Sequence, residues 1–506
     1  MRSALWLVLL LLPTQAFATW YEARTKNFVV LSDGSSSHAT GFATRLERFD
    51  QILRLNTGFT HREYGLPLRV VLRRNAREVQ QLMWSGSRNV VGFYTASLRG
   101  PIAVVDRSAA QSEYDLAGET VLYHEYCHHF MMQYSSFAYP VWYAEGFAEY
   151  HSTTLFRGNG DVDIGRPAMS RAPALGIEKW LPLDRLLKMT RATAVGREIQ
   201  MLYAQGWLLT HMLSSDEQGR LQLNAYLSAI GKGVSVDEAW QAAFEKPIAE
   251  SDKDLRAYYE HLKTKGFSIR RYYAPKFELS EVIVRELSKP EAAAIELDIK
   301  LRDDVSPEHH DAVWSEAQAL VQGYPQHAYV LTIAAEAALA TNRYADAQQL
   351  ADRALLADPR AQRAMVVRGA SGIESMLAAT DVVESEVADA RRWVIQANRL
   401  NPDDPMALLY NYLSYTVRRV EPDENALEGL RVAHEMLPQS PRVTLTLGTI
   451  LLRRDLLAEA KRVLSPLAYA PHESGASYSA RDMLESAERA HTNEKSSVVI
   501  PTAPPK

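Results

Sequence analysis

Four short stretches in the first 110 residues carry blocks of apolar, largely β-branched residues: "NFVVLS" (27–32), "LPLRVVLRR" (66–74), "VVGFYT" (90–95) and "IAVVD" (102–106). Glycines and a Gly-Pro pair separate them, and together these features predict strands. Between the first two, residues 36–55 have their apolar positions at helical spacing. From about 115 to 265 the period is mainly helical. It predicts helices over 116–133, from Pro140 onward, and over 182–191, 196–215, 217–230, 235–246 and 251–264. Proline suits the first turn of the second of these, because its missing N–H has no partner to lose there. "RGNGDVDIGRP" (157–167) is turn-rich and predicts a hairpin or loop. "FSIRRYYAPKFELS" reads as extended, and a domain boundary is expected near 275–300.

Beyond residue 305 the pattern repeats. Ala347, Ala354 and Pro359 stand in the same frame as Ala390, Ala397 and Pro402, and again as Ala426, Ala433 and Pro438. A fourth unit has Leu447-Gly448, Ala460 and Leu467, with Pro471 one position early. Prolines 325, 359, 402 and 438 are spaced by 34, 43 and 36 residues, so an insertion is expected near 361–375. Small residues at helix crossings let paired helices approach, and proline ends the second helix of each pair. The frame resembles the tetratricopeptide repeat, a helix–turn–helix unit of about 34 residues. That resemblance implies an all-α solenoid over 306–490 and a protein partner for its surface.

Composition narrows the classes. A chain of 506 residues has room for two or three domains with real cores. A net charge of −5 with no basic stripe argues against a nucleic-acid partner. At the N-terminus, Arg2, the apolar run Ala4 to Leu12 and Ala16-Phe17-Ala18 have the layout of a cleavable signal peptide, with cleavage expected near Ala18-Thr19. No other stretch is long and apolar enough to cross a bilayer, so no transmembrane segment is expected in the mature chain. Cys127 is the single cysteine, which rules out an intrachain disulfide. The expected location is outside the cytoplasm, in a bacterial periplasm.

The candidate chemistry lies in "YHEYCHHFMMQY" (123–134). His124 and His128 are four residues apart, so both imidazoles lie on one helix face and can bind one ion. Glu125 is rotated about 100° from His124, beside such an ion rather than on it. Zinc suits this set, because it lowers the pKa of bound water and polarises a carbonyl. A catalytic zinc needs a third protein ligand and one position left for water. His129 is turned away from the pair, and Cys127 reads as a small buried hydrophobe.

Downstream, "VWYAEGFAEY" (141–150) resembles the third-ligand segment of the gluzincins, the zinc-peptidase clan of thermolysin and the aminopeptidase N-like enzymes. The resemblance implies zinc held by His124, His128 and Glu145, with Glu125 as the general base. It implies that Glu149, one turn after Glu145, orients a histidine from outside the metal's own ligands. It also implies that Tyr203, in "MLYAQGWLLTHML" (201–213), stabilises an oxyanion. The G-x-M-x-N signature of the aminopeptidases is absent, which favours an endopeptidase.

The expected architecture is an α+β zincin-like metallopeptidase domain followed by an all-α tetratricopeptide-repeat solenoid. Its parts are a signal peptide (1–18), a gluzincin-like domain (19–275), a connecting region (276–305), repeats (306–490) and a disordered tail (491–506). The expected function is a secreted zinc peptidase, with polypeptide substrates and with repeats that recruit a protein. The alternative is a tetratricopeptide interaction scaffold whose zinc site is vestigial or structural.

Overall fold

A computed structural model describes residues 19–60, 65–84, 90–108, 117–135, 137–418, 420–470, 472 and 474–497. The expected signal peptide, residues 1–18, and the end of the expected tail, 498–506, lie outside the described residues.

The first unit is built on strands β1 (Tyr21–Arg24), β2 (Phe28–Ser32), β3 (Leu68–Arg73), β4 (Gly92–Ser97) and β5 (Gly100–Asp106), with helices α1 (Ser36–Thr57) and α2 (Ala76–Gln80) between them. Two central helices follow, α3 (Gly118–Tyr134) and α4 (Val141–Ser152). After them come the β6 (Leu155–Phe156) and β7 (Val162–Ile164) hairpin, α5 (Ala172–Ile177), α6 (Leu183–Lys188) and α7 (Arg197–Ser214). Helices α8 (Glu217–Gly231), α9 (Val236–Phe244) and α10 (Ile248–Lys265), then strands β8 (Arg270–Tyr272) and β9 (Ile283–Glu286), complete the unit. β8 joins β6 and β7 in a three-stranded antiparallel sheet.

The main sheet has six strands in the order β4-β5-β3-β2-β1-β9. β2, β3 and β5 run parallel, and β4, β1 and β9 pair antiparallel to their neighbours. Alternate residues of the central strands point to opposite faces. Val30, Val70 and Ala103 meet α1 and α3 on one side. Leu31, Val71 and Val104 meet α2 and the next helix, α11 (Lys289–Lys300), on the other. The stretch 276–305 is therefore more than a connection, since it supplies the sixth strand and a covering helix of the sheet.

α11 starts where Ser288 and Glu291 form a capping box around Pro290, which satisfies the first free N–H groups. Its two faces have different partners. Ile295 and Ile299, one turn apart, pack on the sheet. Ala294, Leu297 and Leu301 pack into the core of the repeat array. The array consists of α12 (His310–Gly323) and four helix pairs: α13 (Ala328–Ala340) with α14 (Tyr344–Ala357), α15 (Gln362–Leu377) with α16 (Glu384–Leu400), α17 (Pro405–Thr416) with α18 (Glu424–Met436), and α19 (Pro441–Arg453) with α20 (Leu457–Ala468). α21 (Gly475–Ser497) packs on the last pair and takes in part of the expected tail. Ala347, Ala354, Ala390, Ala397, Ala426, Ala433 and Ala460 are all buried between paired helices. The C-terminal half is thus a tetratricopeptide-like helical solenoid. The extra length expected near 361–375 does not form an inserted loop. α15 runs unbroken through that stretch, with Ala364, Val367, Ala370 and Ile373 buried in register, and the extra length is in the longer helices α15 and α16 and the turn at 378–383.

Two attachments fix the array to the sheet unit. At the first, buried Asp298 on α11 accepts from Arg363 of α15 at 2.6 Å and faces Arg69 of β3 at 3.5 Å. Arg99 and Arg363 both pair with buried Glu336 of α13. At the second, the turn between α18 and α19 returns to α3. Buried Gln439 donates to Gln133 at 3.0 Å and to the His129 carbonyl at 3.3 Å. Gln133 donates to the Glu435 carbonyl at 3.1 Å.

Substitutions at two positions test this packing. A Cβ at Gly146 would lie 2.3 Å from the Gly206 carbonyl oxygen and 2.4 Å from Thr210 Oγ1, so α4 and α7 cross only because both positions are glycine. Gly146→Ala is expected to destabilise the fold by about 1–3 kcal/mol in urea unfolding. Gly158→Ala, where a Cβ meets nothing within 4 Å, should leave the midpoint near wild type. Burial alone would raise the Asp298 carboxyl, but Arg363, Arg302 and Arg69 hold it far below the usual range. Its contribution is therefore fully present above the unfolded value of about 3.9 and is lost as pH falls below it. Asp298→Ala is expected to cost roughly 3–5 kcal/mol at pH 7 and to flatten the acid limb of the stability profile.

Candidate metal centre

α3 and α4 lie side by side, with their inner faces on the sheet and against α7. Pro140 precedes the first helical residue of α4 rather than occupying it. His124 and His128 project from one face of α3 toward Glu145 on α4. His124 Nε2 and His128 Nε2 are 3.1 Å apart. Glu145 Oε2 lies 3.3 Å from the first and 3.4 Å from the second. Ligand atoms about 2.0–2.1 Å from a tetrahedral zinc stand about 3.3–3.4 Å from one another. The triad therefore has the dimensions of three corners of such a site.

The electrostatics point the same way. Glu145 is fully buried. Among the described residues neither of its carboxylate oxygens has a hydrogen-bond partner, and His128 Nδ1 also lacks one. Burial opposes a charge on His124, but the adjacent Glu145 and Glu149 carboxylates outweigh it and raise its pKa to about 10. Burial likewise opposes ionisation of Glu145, and the histidines beside it still hold its carboxyl well below the usual range. A buried pocket arranged so that carboxylates favour positive charge fits a cation as well as a proton. Two imidazoles and a carboxylate are a donor set that zinc accepts.

The other residues read from the sequence fall around this triad. Glu149 Oε1 is 3.3 Å from His124 Nδ1, so it addresses the ring nitrogen turned away from Glu145. It is itself held by Arg171, whose Nη2 donates at 2.7 Å and Nε at 3.1 Å. Tyr203 on α7 lies with its ring centroid 6.0 Å from that of His124, and the Arg171 guanidinium covers its ring at 4.7 Å. Burial and the Glu145 charge push the Tyr203 hydroxyl well above its ordinary range. Glu125 lines the large cleft beside α3 together with His128 of the triad. Cys127 is fully buried, and burial keeps its thiol protonated. His129 turns from the triad to the Tyr94 hydroxyl of β4 at 3.0 Å, and burial lowers its pKa to about 4. His211 is packed, bonded to Tyr258 and to the Ser268 carbonyl.

Two neighbours were not legible in the sequence. Arg171 follows Glu149 by 22 residues and belongs to no local motif. His472 lies between α20 and α21, 344 residues from His128, and nothing in its surroundings marks it as part of a site. Its ring stands edge-on to His128 with centroids 5.0 Å apart, and its Nε2 is 3.9 Å from Glu125 Oε2. A cleft of about 1110 Å³ opens beside it, lined by β4, by Glu125 and His128 of α3, and by array residues including Tyr410 and Arg442.

No family model matches the chain, and no curated protein matches it. Similar solved structures include TTC0263, a thermophilic tetratricopeptide protein of Thermus thermophilus, at 20% identity and a TM-score of 0.32, over 40% of this chain and 97% of that one. Yeast Tom70 matches at 12% identity and a TM-score of 0.26, over 58% of this chain and 61% of its own. The expected membership of the gluzincins and the expected class of zinc metallopeptidase are corrected by these findings. No family model ties the chain to a peptidase, and these neighbours are repeat proteins.

Proposed function

We propose that the protein is an interaction scaffold that holds an extended segment of a protein partner in the cleft between β4 and the repeat array, and that a zinc ion at His124, His128 and Glu145 is a structural part of it. The observation that carries this reading is the joint lining of that cleft. One wall is β4, the end strand of the six-stranded sheet, and the other is the inner surface of the array. An end strand has one row of unpaired N–H and C=O groups, which an extended chain can pair with while its side chains enter the pockets opposite. Concave helical arrays serve the same purpose on their inner surface. Zinc adds what this chain cannot obtain from sulfur, because a single cysteine forms no intrachain disulfide. If the chain is exported, as its first eighteen residues suggest, a metal cross-link supplies folding free energy in a compartment where many chains use disulfides.

Two measurements test the reading. The purified full-length chain is expected to hold one zinc, measured by elemental analysis. Glu145→Ala is expected to weaken zinc by more than the roughly 10–100-fold that loss of an outer hydrogen-bond partner costs. Little zinc in folded wild-type protein would remove the metal from the proposal. For the cleft, a random peptide library is screened against the wild type, and the peptides retained are tested on Tyr94→Pro and Thr95→Pro. Consecutive residues of an antiparallel edge strand direct their N–H groups alternately inward and outward. One of the two prolines therefore removes an outward donor while sparing the β4–β5 ladder, and that variant should lose peptide binding while keeping its fold. Binding unchanged in both variants would put the partner elsewhere.

A further inference from the structure

Among the described residues, His472 is a metal-ligating side chain that the far end of the array brings to the triad's histidines. Its available ring nitrogen, with those of His124 and His128, lies within a set whose members are all within 4.8 Å of one another. The corresponding separation in a tetrahedral zinc site is about 3.3 Å, so relative to the two histidines the ring has at most about 1.5 Å to travel. The His472 side chain is 49% exposed. The end of α20, at Pro466 and Tyr469, lines a small gap of about 30 Å³ opposite Met131 and Met132 of α3. Glu125 stands 3.9 Å from His472 Nε2, in position to accept the ring N–H left over when the other nitrogen turns to a metal. Metal-bound histidines commonly have such a partner.

We infer that His472 is the fourth protein ligand of the metal, so that zinc binding draws the last repeat onto α3 and latches the array shut over the cleft. This rests on the zinc site proposed above and deepens it. His124, His128, Glu145 and His472 make a closed four-ligand set, which is the pattern of a structural zinc. Three of the ligands belong to α3 and α4, and one belongs to the array. The metal therefore joins the two halves of the chain at the end opposite Asp298. Loss of zinc frees α20 and α21 and opens the cleft without unfolding either half.

The test measures zinc affinity and local protection on the same full-length samples. Affinity is read by competition with a chromophoric chelator, and protection by backbone hydrogen exchange across 457–497. In the wild type, zinc is expected to slow exchange in α20 and α21. His472→Ala is expected to keep one zinc per chain, to bind it roughly tenfold or more weakly, and to lose the zinc-dependent protection. His472→Cys, which restores a ligand atom, is expected to recover much of both. If His472→Ala leaves either the affinity or the protection unchanged, the latch is overturned while the triad stands. If the wild type binds no zinc, or Glu145→Ala binds it like the wild type, the zinc site itself fails. The two failures are therefore distinguishable.

Discussion

The arrangement of the whole chain depends on one buried carboxylate. Asp298 lies on the helix that faces both halves and is bound by arginines from β3, from the end of α11 and from α15. A charge pair removed from water gains little net energy, because desolvation offsets most of the attraction. What it supplies here is direction. An arginine fork meets a carboxylate in few geometries, so the angle at which the array leaves the sheet is set by hydrogen bonds rather than by apolar contact alone. With that angle fixed, the solenoid curves back toward α3, and Gln439 meets the helix that carries the histidines.

The His124, His128 and Glu145 triad is positioned by equally local causes. Gly146 and Gly206 allow α4 and α7 to touch, and that contact presses Glu145 toward the α3 histidines and sets Tyr203 beside them. Glu149 and Arg171 then fix the outer side of His124. The ligand geometry is thus a product of helix crossings whose tolerances are fractions of an ångström. The carboxylates around it impose a preference for positive charge whether or not any reaction takes place there.

Much of this was legible in the chain because it is local. The strands at 27–32, 66–74 and 102–106, the i, i+4 histidines and the alanine frame of the repeats each need only a few neighbouring residues to be recognised. Glu145 was found because its own motif follows closely on the histidines. What escaped was long-range. β9 and α11 looked like a connection because their apolar positions serve two different cores, so neither face shows a clean period. His472 is an isolated histidine whose neighbours in space are 344 residues away in sequence. The functional class was misjudged as well. The motif reports which side chains lie close enough to hold a metal, whereas the similar solved structures follow the helical repeats rather than that motif.

An open solenoid can gain or lose a repeat during evolution at little cost, because each unit touches only its neighbours. Here the array is tied at two places, at Asp298 and, through the turn between α18 and α19, at α3. The arc between them has a set span, and three helix pairs of this curvature cover it. A duplicated pair would carry the turn after α18 past α3, and a deleted pair would leave it short. Repeat number in this chain is therefore under the same constraint as the length of a bridge between two fixed piers, and change is expected in the surface loops rather than in the count of units.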